Sequence, residues 1–163
     1  MKTVNKFASV LVVLSLIGCG SSGSGNPSET KVETTSSIEN YKATDFDGSS
    51  CSDTGNGTFG VVNESGSSLD GAEVVVFVEN PKTDLIQIGF ESQEFDGSCL
   101  TFIYIDGALY TKEQLGETQG TLTLVKDALA EGKHLVEAVQ FENDEPDGTV
   151  KCYKSAPYTV KLK

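Results

Sequence analysis

The sequence predicts an all-β fold, either an antiparallel β-sandwich or a small barrel. Short stretches rich in β-branched and aromatic residues are separated by Gly, Asp, Asn and Pro. No stretch has convincing helical length, since the best candidate, KDALAEG at 126–132, is one or two turns ending at a glycine. The predicted strands cover residues 72–79, 85–90, 99–105, 121–125, 134–141 and 157–162.

The first eighteen residues have the layout of a secretory signal peptide. MKTVNK supplies two lysines, and the apolar run FASVLVVLSLI follows. This run is too short to remain in a bilayer as a spanning helix. We therefore expect residues 1–18 to be a cleaved leader.

The end of this leader, Leu16-Ile17-Gly18-Cys19, resembles the lipobox of bacterial lipoproteins. The resemblance implies that Cys19 is acylated and becomes the first mature residue. Several acyl chains, each contributing about 0.8 kcal/mol per buried methylene, make a stable membrane anchor. We expect a location in the cell envelope, lipid-anchored through Cys19, and in the outer membrane if the cell has one, because Gly20 resembles the usual sorting pattern.

Composition divides the rest of the chain into three parts. Residues 19–37 hold the lipidated cysteine and GSSGSGNPSETKVETTSS, which has one aliphatic residue and is predicted to be a flexible tether. Residues 38–57 form an N-terminal extension, and residues 58–163 form one domain of ordinary size.

The mature chain is strongly acidic. The whole chain has 12 basic and 24 acidic residues, and removing the leader's two lysines leaves 10 against 24, a net charge of −14. Such a surface repels phosphate backbones, so we expect no nucleic-acid partner.

The pattern of two strands indicates how they lie in the sheets. The run 74–78, VVVFV, is apolar on both faces and is predicted to be a central strand. Tyr158, Val160 and Leu162 alternate with polar residues, which is typical of a half-exposed strand.

One hairpin can be placed from its turn. NDEPDGT at 143–149 has proline and glycine at the positions that a type I turn favours. If Glu145 faces Gly148, Phe141 lies opposite Cys152, and the last two strands are neighbours.

Two segments resemble known sandwich families. GVVNESGSSLDGAEVVV at 60–76 resembles the opening of transthyretin-like and carboxypeptidase regulatory-like domains. FIYIDGALYT, then LAEGKHLVEAVQF and PYTVKLK, resemble bacterial Ig-like repeats. Both resemblances imply a single Ig-like antiparallel β-sandwich, and they imply for function only a structural or binding module at the cell surface.

Catalytic motifs are missing from the sequence. His134 is the only histidine, and it falls where the Ig-like pattern carries a structural one. There is no Gly-x-Ser-x-Gly, no Cys-x-x-Cys, no zinc spacing and no cofactor motif. We expect a non-enzymatic envelope module that binds a protein or glycan or supports an envelope assembly. The alternative is a small periplasmic hydrolase or inhibitor, which requires a deep pocket containing His134 with a Ser or acid neighbour.

Two acidic loops offer oxygen ligands of the kind that calcium takes. Neither loop has a complete ligand set, so we expect no tight metal site and at best millimolar calcium affinity. The candidate weak cation-binding residues are Asp45, Asp47, Asp53, Glu142, Asp144 and Asp147.

Three cysteines of the folded part each follow an Asp-Gly, in FDGSSC, FDGSC and DGTVKC. The dipeptide favours tight turns, so all three are expected near strand ends. In an Ig-like sheet, strands beginning at Cys99 and Cys152 flank the strand ending at Phe141, too far apart for a relaxed disulfide. We predict a Cys51–Cys99 bridge, closing 48 residues and contributing about 4 kcal/mol, with Cys152 a partly buried thiol. The alternatives are Cys51–Cys152 and then Cys99–Cys152.

Overall fold

The computed structural model describes residues 45–163 and shows an all-β sandwich of two sheets, as predicted. No helical segment of this described part has the length and hydrophobicity needed to cross a lipid bilayer. The predicted leader (1–18), Cys19 and the tether (19–37) lie outside the described residues. The strands are β1 (Thr58–Asn63), β2 (Gly66–Ser67), β3 (Val75–Val78), β4 (Ile86–Gln93), β5 (Thr101–Ile105), β6 (Ala108–Glu113), β7 (Thr118–Leu124), β8 (Gly132–Phe141) and β9 (Val150–Leu162). Single 3-10 turns cover Gly48–Ser50, Ser68–Asp70 and Lys126–Leu129.

One sheet has four strands in the order β2-β1-β4-β7, and the other has five in the order β3-β9-β8-β5-β6. All the pairs are antiparallel except β3 with β9, which run parallel, so the fully antiparallel expectation needs this correction. β1 lies in the first sheet and β3 lies at the edge of the second, so the chain crosses from one sheet to the other between them. The strands that follow Cys99 and hold Cys152 flank β8, as predicted.

The prediction that 74–78 forms a central strand is wrong. β3 pairs only with β9 and lies at the sheet edge, where Phe77 is 53% exposed. The strand that is buried on both faces is β5, whose five residues are all buried. A continuous apolar run identified a strand in both cases, but it did not distinguish an edge from a centre.

The β8–β9 hairpin confirms that the last two strands are neighbours. The turn forms as predicted, with the amide of Gly148 donating to the carbonyl of Glu145 at 2.9 Å. The predicted register is wrong by two residues beside the turn, where Phe141 pairs with Val150, and by one residue beyond it, where Cys152 pairs with Gln140. Lys151 is therefore an extra residue in β9, a bulge that the turn alone did not reveal.

The space between the sheets is filled by one apolar core. β5 directs Ile103 and Ile105 into it, and β8 contributes Val136 and Ala138. His134 and Tyr158, which pair across β8 and β9, stack with ring centroids 4.9 Å apart. The partners from the other sheet include Phe59, Val61, Ile88, Phe90, Leu122 and Leu124.

A second apolar cluster covers the outer face of the five-stranded sheet. Phe102, Tyr104, Val139, Phe141 and Tyr153 form its buried part. We call these five residues the outer cluster. A sandwich sheet that is solvated on its outer face does not need these large apolar residues, so something must cover them.

The cover is the segment before β1. Phe46 stacks on Tyr104 at 5.0 Å between ring centroids and donates its amide to the carbonyl of Gly107 at 2.8 Å. Gly48 lies so close to the buried Glu137 that a Cβ would collide with its carboxylate. Thr54 exchanges two backbone hydrogen bonds with Tyr153. The described part of the N-terminal extension, residues 45–57, thus packs on the domain.

Candidate functional site

Three segments meet at one end of the sandwich. They are residues 54–57 before β1, residues 94–100 between β4 and β5, and residues 142–149 between β8 and β9. They lie side by side because the starts of β1, β5 and β9 and the ends of β4 and β8 are at this same end of the sandwich. The carboxylate of Asp144 accepts a 2.9 Å hydrogen bond from the amide of Leu100, which joins two of the segments. We call these three segments the loop end.

The turn 94–100 is held by the side chain of Asp96. Its carboxylate accepts hydrogen bonds from the backbone amide and the hydroxyl of Ser98, at 3.0 and 2.6 Å. In the first Asp-Gly motif, Asp47 accepts in the same way from the amide of Ser49. The similar motifs FDGSSC and FDGSC are therefore two copies of one local turn, in which the aspartate caps the backbone two residues on.

The buried side-chain amide of Gln140 in β8 supports this turn. Gln140, 1% exposed, donates from Nε2 to the carbonyl of Asp96 and to the hydroxyl of Thr101, both at 3.0 Å. Since a buried amide left without partners costs roughly 1–3 kcal/mol, these bonds fix the turn against β5 and β8. No sequence motif marks Gln140, which lies among the buried residues of β8.

A cleft of about 350 Å³ lies at the loop end, lined by residues from 54–57 and 94–100 and from β8 and β9, but not from 142–149. Lys151 reaches it from the bulge in β9, and its ammonium pairs with Asp96 at 2.7 Å. The hydrogen bond from Lys151 is the largest cause that holds the pKa of Asp96 well below its usual range, and the hydrogen bonds from Ser98 add to it. The full lining is Gly55, Asn56, Glu94, Phe95, Asp96, Gln140, Lys151 and Cys152.

The three cysteines of the described part are free thiols, so the predicted Cys51–Cys99 bridge is not formed in the structure. Cys51 packs against the outer cluster, where burial raises the pKa of its thiol. The Cys99 sulfur instead lies 3.0 Å from Nζ of Lys151. Cys152 is buried, 3% exposed, and its sulfur donates to the carbonyl of Asn56 at 3.3 Å.

The candidate cation ligands are not brought together. Asp53 pairs with Nζ of the buried Lys154 at 2.6 Å, while Asp47 and Asp144 each cap backbone amides. The remaining candidates Asp45, Glu142 and Asp147 are exposed. Within residues 45–163, no group of three or more His, Cys, Asp or Glu side chains is arranged to hold a metal ion.

His134 lies at the opposite end of the sandwich, at the start of β8. Its Nδ1 is 2.6 Å from the carboxylate of Asp106, and its Nε2 is 2.7 Å from the carbonyl of Ala130. Its ring stacks on Tyr158, and it does not line the cleft. With both nitrogens engaged, the imidazole joins the β5–β6 turn to the segment before β8.

Comparisons with known proteins assign the chain to no family. No protein-family model matches it, and no curated protein matches it. Among solved structures it is similar to one described as "Structures of Clostridium thermocellum CbhA fibronectin(III)-like modules", with 14% identity and a TM-score of 0.37. The match covers 67% of this chain and 48% of that one, so the chain spans about half the length of that structure.

Proposed function

We propose that this protein is a non-catalytic module of the cell envelope, anchored by lipid on Cys19, that binds a protein or glycan through its loop end. The cleft of about 350 Å³ is the observation that carries this proposal. Binding sites in proteins are concave and contain a few polar groups placed by a rigid scaffold, which is the arrangement found there.

The cleft offers both kinds of hydrogen-bonding group. Lys151 supplies ammonium donors, the carboxylates of Glu94 and Asp96 supply acceptors, and the side-chain amide of Asn56 supplies both. A ligand with many hydroxyl, amide or charged groups matches this lining, which is the chemistry of a glycan or of a polar protein surface. The acidic charge of the whole chain disfavours nucleic acid.

The hydrolase alternative required a deep pocket around His134, which has the acid neighbour Asp106 but does not line the cleft. A general base needs a free nitrogen within hydrogen-bond reach of the proton that it removes. Here one nitrogen of His134 contacts Asp106 and the other contacts the Ala130 carbonyl. The histidine thus has a structural role, and a binding module is the function that the geometry supports best.

Recovery of partners from solubilised envelope tests the proposal. The loop-end variant carries Glu94→Ala and Lys151→Ala, which remove one acid and one base from the cleft. The matched control carries Glu131→Ala and Lys133→Ala, two exposed residues at the opposite end. We expect the wild-type chain and the control to recover the same partner and the loop-end variant to recover at least tenfold less. Equal recovery by both variants, or a loss confined to the control, would contradict the assignment of the site.

A further inference from the structure

A thiol, an amine and a carboxylate meet beside the cleft. Nζ of Lys151 is 3.0 Å from the sulfur of Cys99 and 2.7 Å from the carboxylate of Asp96. The Cys99 sulfur is itself 3.4 Å from that carboxylate. All three side chains reach solvent, since Cys99 is partly exposed and the other two are 42% and 44% exposed.

The backbone positions of the pair explain why they meet. Cys99 ends the capped turn before β5, and Lys151 is the bulged residue of β9. These two strands lie on either side of β8, so the pair spans the end of that strand. A bulge re-aims a side chain relative to a regular ladder, and here it accompanies the contact of Lys151 with the turn.

We propose that Cys99 and Lys151 form a site of oxidative cross-linking, in which a peroxide joins the sulfur of Cys99 to the nitrogen of Lys151. The Cys99 thiol first takes one oxygen from hydrogen peroxide and becomes a sulfenic acid, and one water is released. The Lys151 amine then attacks the sulfur, the sulfur–oxygen bond breaks, and the hydroxyl leaves with a proton from nitrogen as a second water. The sulfur loses two electrons, the peroxide gains two, and the product is a sulfenamide.

Lys151 is the nucleophile that the structure places against the Cys99 sulfur. A sulfenic acid condenses with a thiol or with a nitrogen, according to which lies within reach. The thiol of Cys152 is buried and directed at Asn56, and that of Cys51 packs on the outer cluster. The amine of Lys151 is already in contact.

The carboxylate of Asp96 has two effects on the reaction. It holds Lys151 in place, but its lowered pKa makes it too weak a base to take the ammonium proton, which is lost to water or hydroxide before attack. Its hydrogen bond, with that of Cys99, also raises the pKa of Lys151 above the ordinary value. Only the neutral amine attacks, so the rate of cross-linking is expected to rise as the pH increases through the alkaline range.

The cross-link would change the cleft. The sulfenamide nitrogen carries no positive charge, so Glu94 and Asp96 would face the cleft without a cation from Lys151. It would also tie the start of β5 to β9 across the end of β8. An oxidant would thus alter the charge of the loop end without rearranging the sheets.

Peptide mapping of the oxidised full-length chain tests this proposal. The purified chain is treated with equimolar hydrogen peroxide and digested with trypsin without reductant. We expect a cross-linked peptide containing Cys99 and Lys151, lighter by two hydrogen atoms than its two parts, with cleavage after Lys151 blocked. A thiol reductant should restore both peptides. Because a disulfide has the same mass change and the peptide uncleaved at Lys151 also contains Cys152, the assignment depends on fragment ions that separate Lys151 from Cys152.

Two variants serve as controls. Lys151→Arg keeps the positive charge beside Asp96 but removes the primary amine, and it should yield no cross-link and leave Cys99 as a sulfenic or higher acid. Lys133→Arg, at the opposite end, should cross-link as the wild type does. A disulfide of Cys99 with Cys51 or with Cys152, a cross-linked peptide that has gained oxygen, or Cys99 oxidised beside an unmodified Lys151 in the wild type would each overturn the proposal. Circular dichroism of both variants checks that the sheets form.

Discussion

Replacing Phe46 by alanine should destabilise the domain, although the residue lies twelve positions before the first strand. Its ring centroid is 5.0 Å from that of Tyr104, 6.0 Å from Phe141 and 6.1 Å from Tyr153. Truncating a fully buried Phe to Ala costs about 3–5 kcal/mol. Since Phe46 is only partly buried, we expect roughly half of this, about 2 kcal/mol, including the lost aromatic contacts.

Equilibrium unfolding in urea measures this change. The matched control is Phe77→Ala in β3, where the ring is 53% exposed and the expected loss is below about 1 kcal/mol. The urea midpoint should therefore fall clearly for Phe46→Ala and little for Phe77→Ala. If Phe46→Ala changed the free energy of unfolding by less than about 0.5 kcal/mol, the packing of the N-terminal segment on the outer cluster would be refuted.

Further predictions concern buried tyrosines, the anchor and calcium. The buried hydroxyl of Tyr104 has no hydrogen-bond partner within the described chain, whereas that of Tyr153 donates to Glu137 at 2.8 Å. In urea unfolding, Tyr104→Phe should be neutral or stabilising by up to about 1 kcal/mol, and Tyr153→Phe should destabilise by about 1–3 kcal/mol. Burial is the larger cause, and the nearby Glu137 the smaller one, that raises the pKa of both tyrosines from 10 to about 12. Because the pKa of these tyrosines is higher in the folded than in the unfolded chain, their neutral hydroxyls contribute fully to stability below pH 10. This contribution is lost as the pH rises from 10 through about 12, so the urea midpoint should fall over that interval. An unchanged midpoint there would contradict the burial of these rings. Cys19→Ser should move the protein from the membrane to the soluble fraction, and mass spectrometry of the wild type should show acyl mass on Cys19 and no Gly18. Low micromolar calcium should leave the thermal midpoint unchanged, and a rise of many degrees would reveal a site that the acidic loops do not show.

The strand pattern predicted the fold class, and the turn at 143–149 predicted that β8 and β9 are neighbours, because alternation and turn residues report on local structure. The order around β8 followed from the Ig-like resemblance and the positions of Cys99 and Cys152. The turn between β5 and β6 also had a sequence signal, since Asp-Gly is typical of a two-residue hairpin. In the structure both Asp106 and Gly107 have the positive φ that this hairpin requires. β6 was nevertheless not predicted as a separate strand.

Other features depended on tertiary contacts that the pattern does not encode. The β8–β9 register differs from the prediction by two residues at the Phe141–Val150 pair, and the bulge at Lys151 reduces the difference to one residue from the Gln140–Cys152 pair onward. The burial of β5 on both faces was not predicted, because the element covering its second face, with Phe46, is distant in sequence. The cleft was not predictable because its lining comes from two separate segments, 54–57 and 94–100, from Lys151 and Cys152 at the start of β9, and from the buried Gln140 of β8.

Amide hydrogen exchange tests the central claim, that the loop end is the binding surface, most directly. Exchange is measured by mass spectrometry on the purified full-length chain, alone and after incubation with solubilised envelope. The proposed function predicts slower exchange at residues 54–57, 94–100 and 142–149, with no change at residues 79–85 and 125–131 at the opposite end. Slower exchange confined to the opposite end, or no change at any of these segments while a partner is bound, would contradict it.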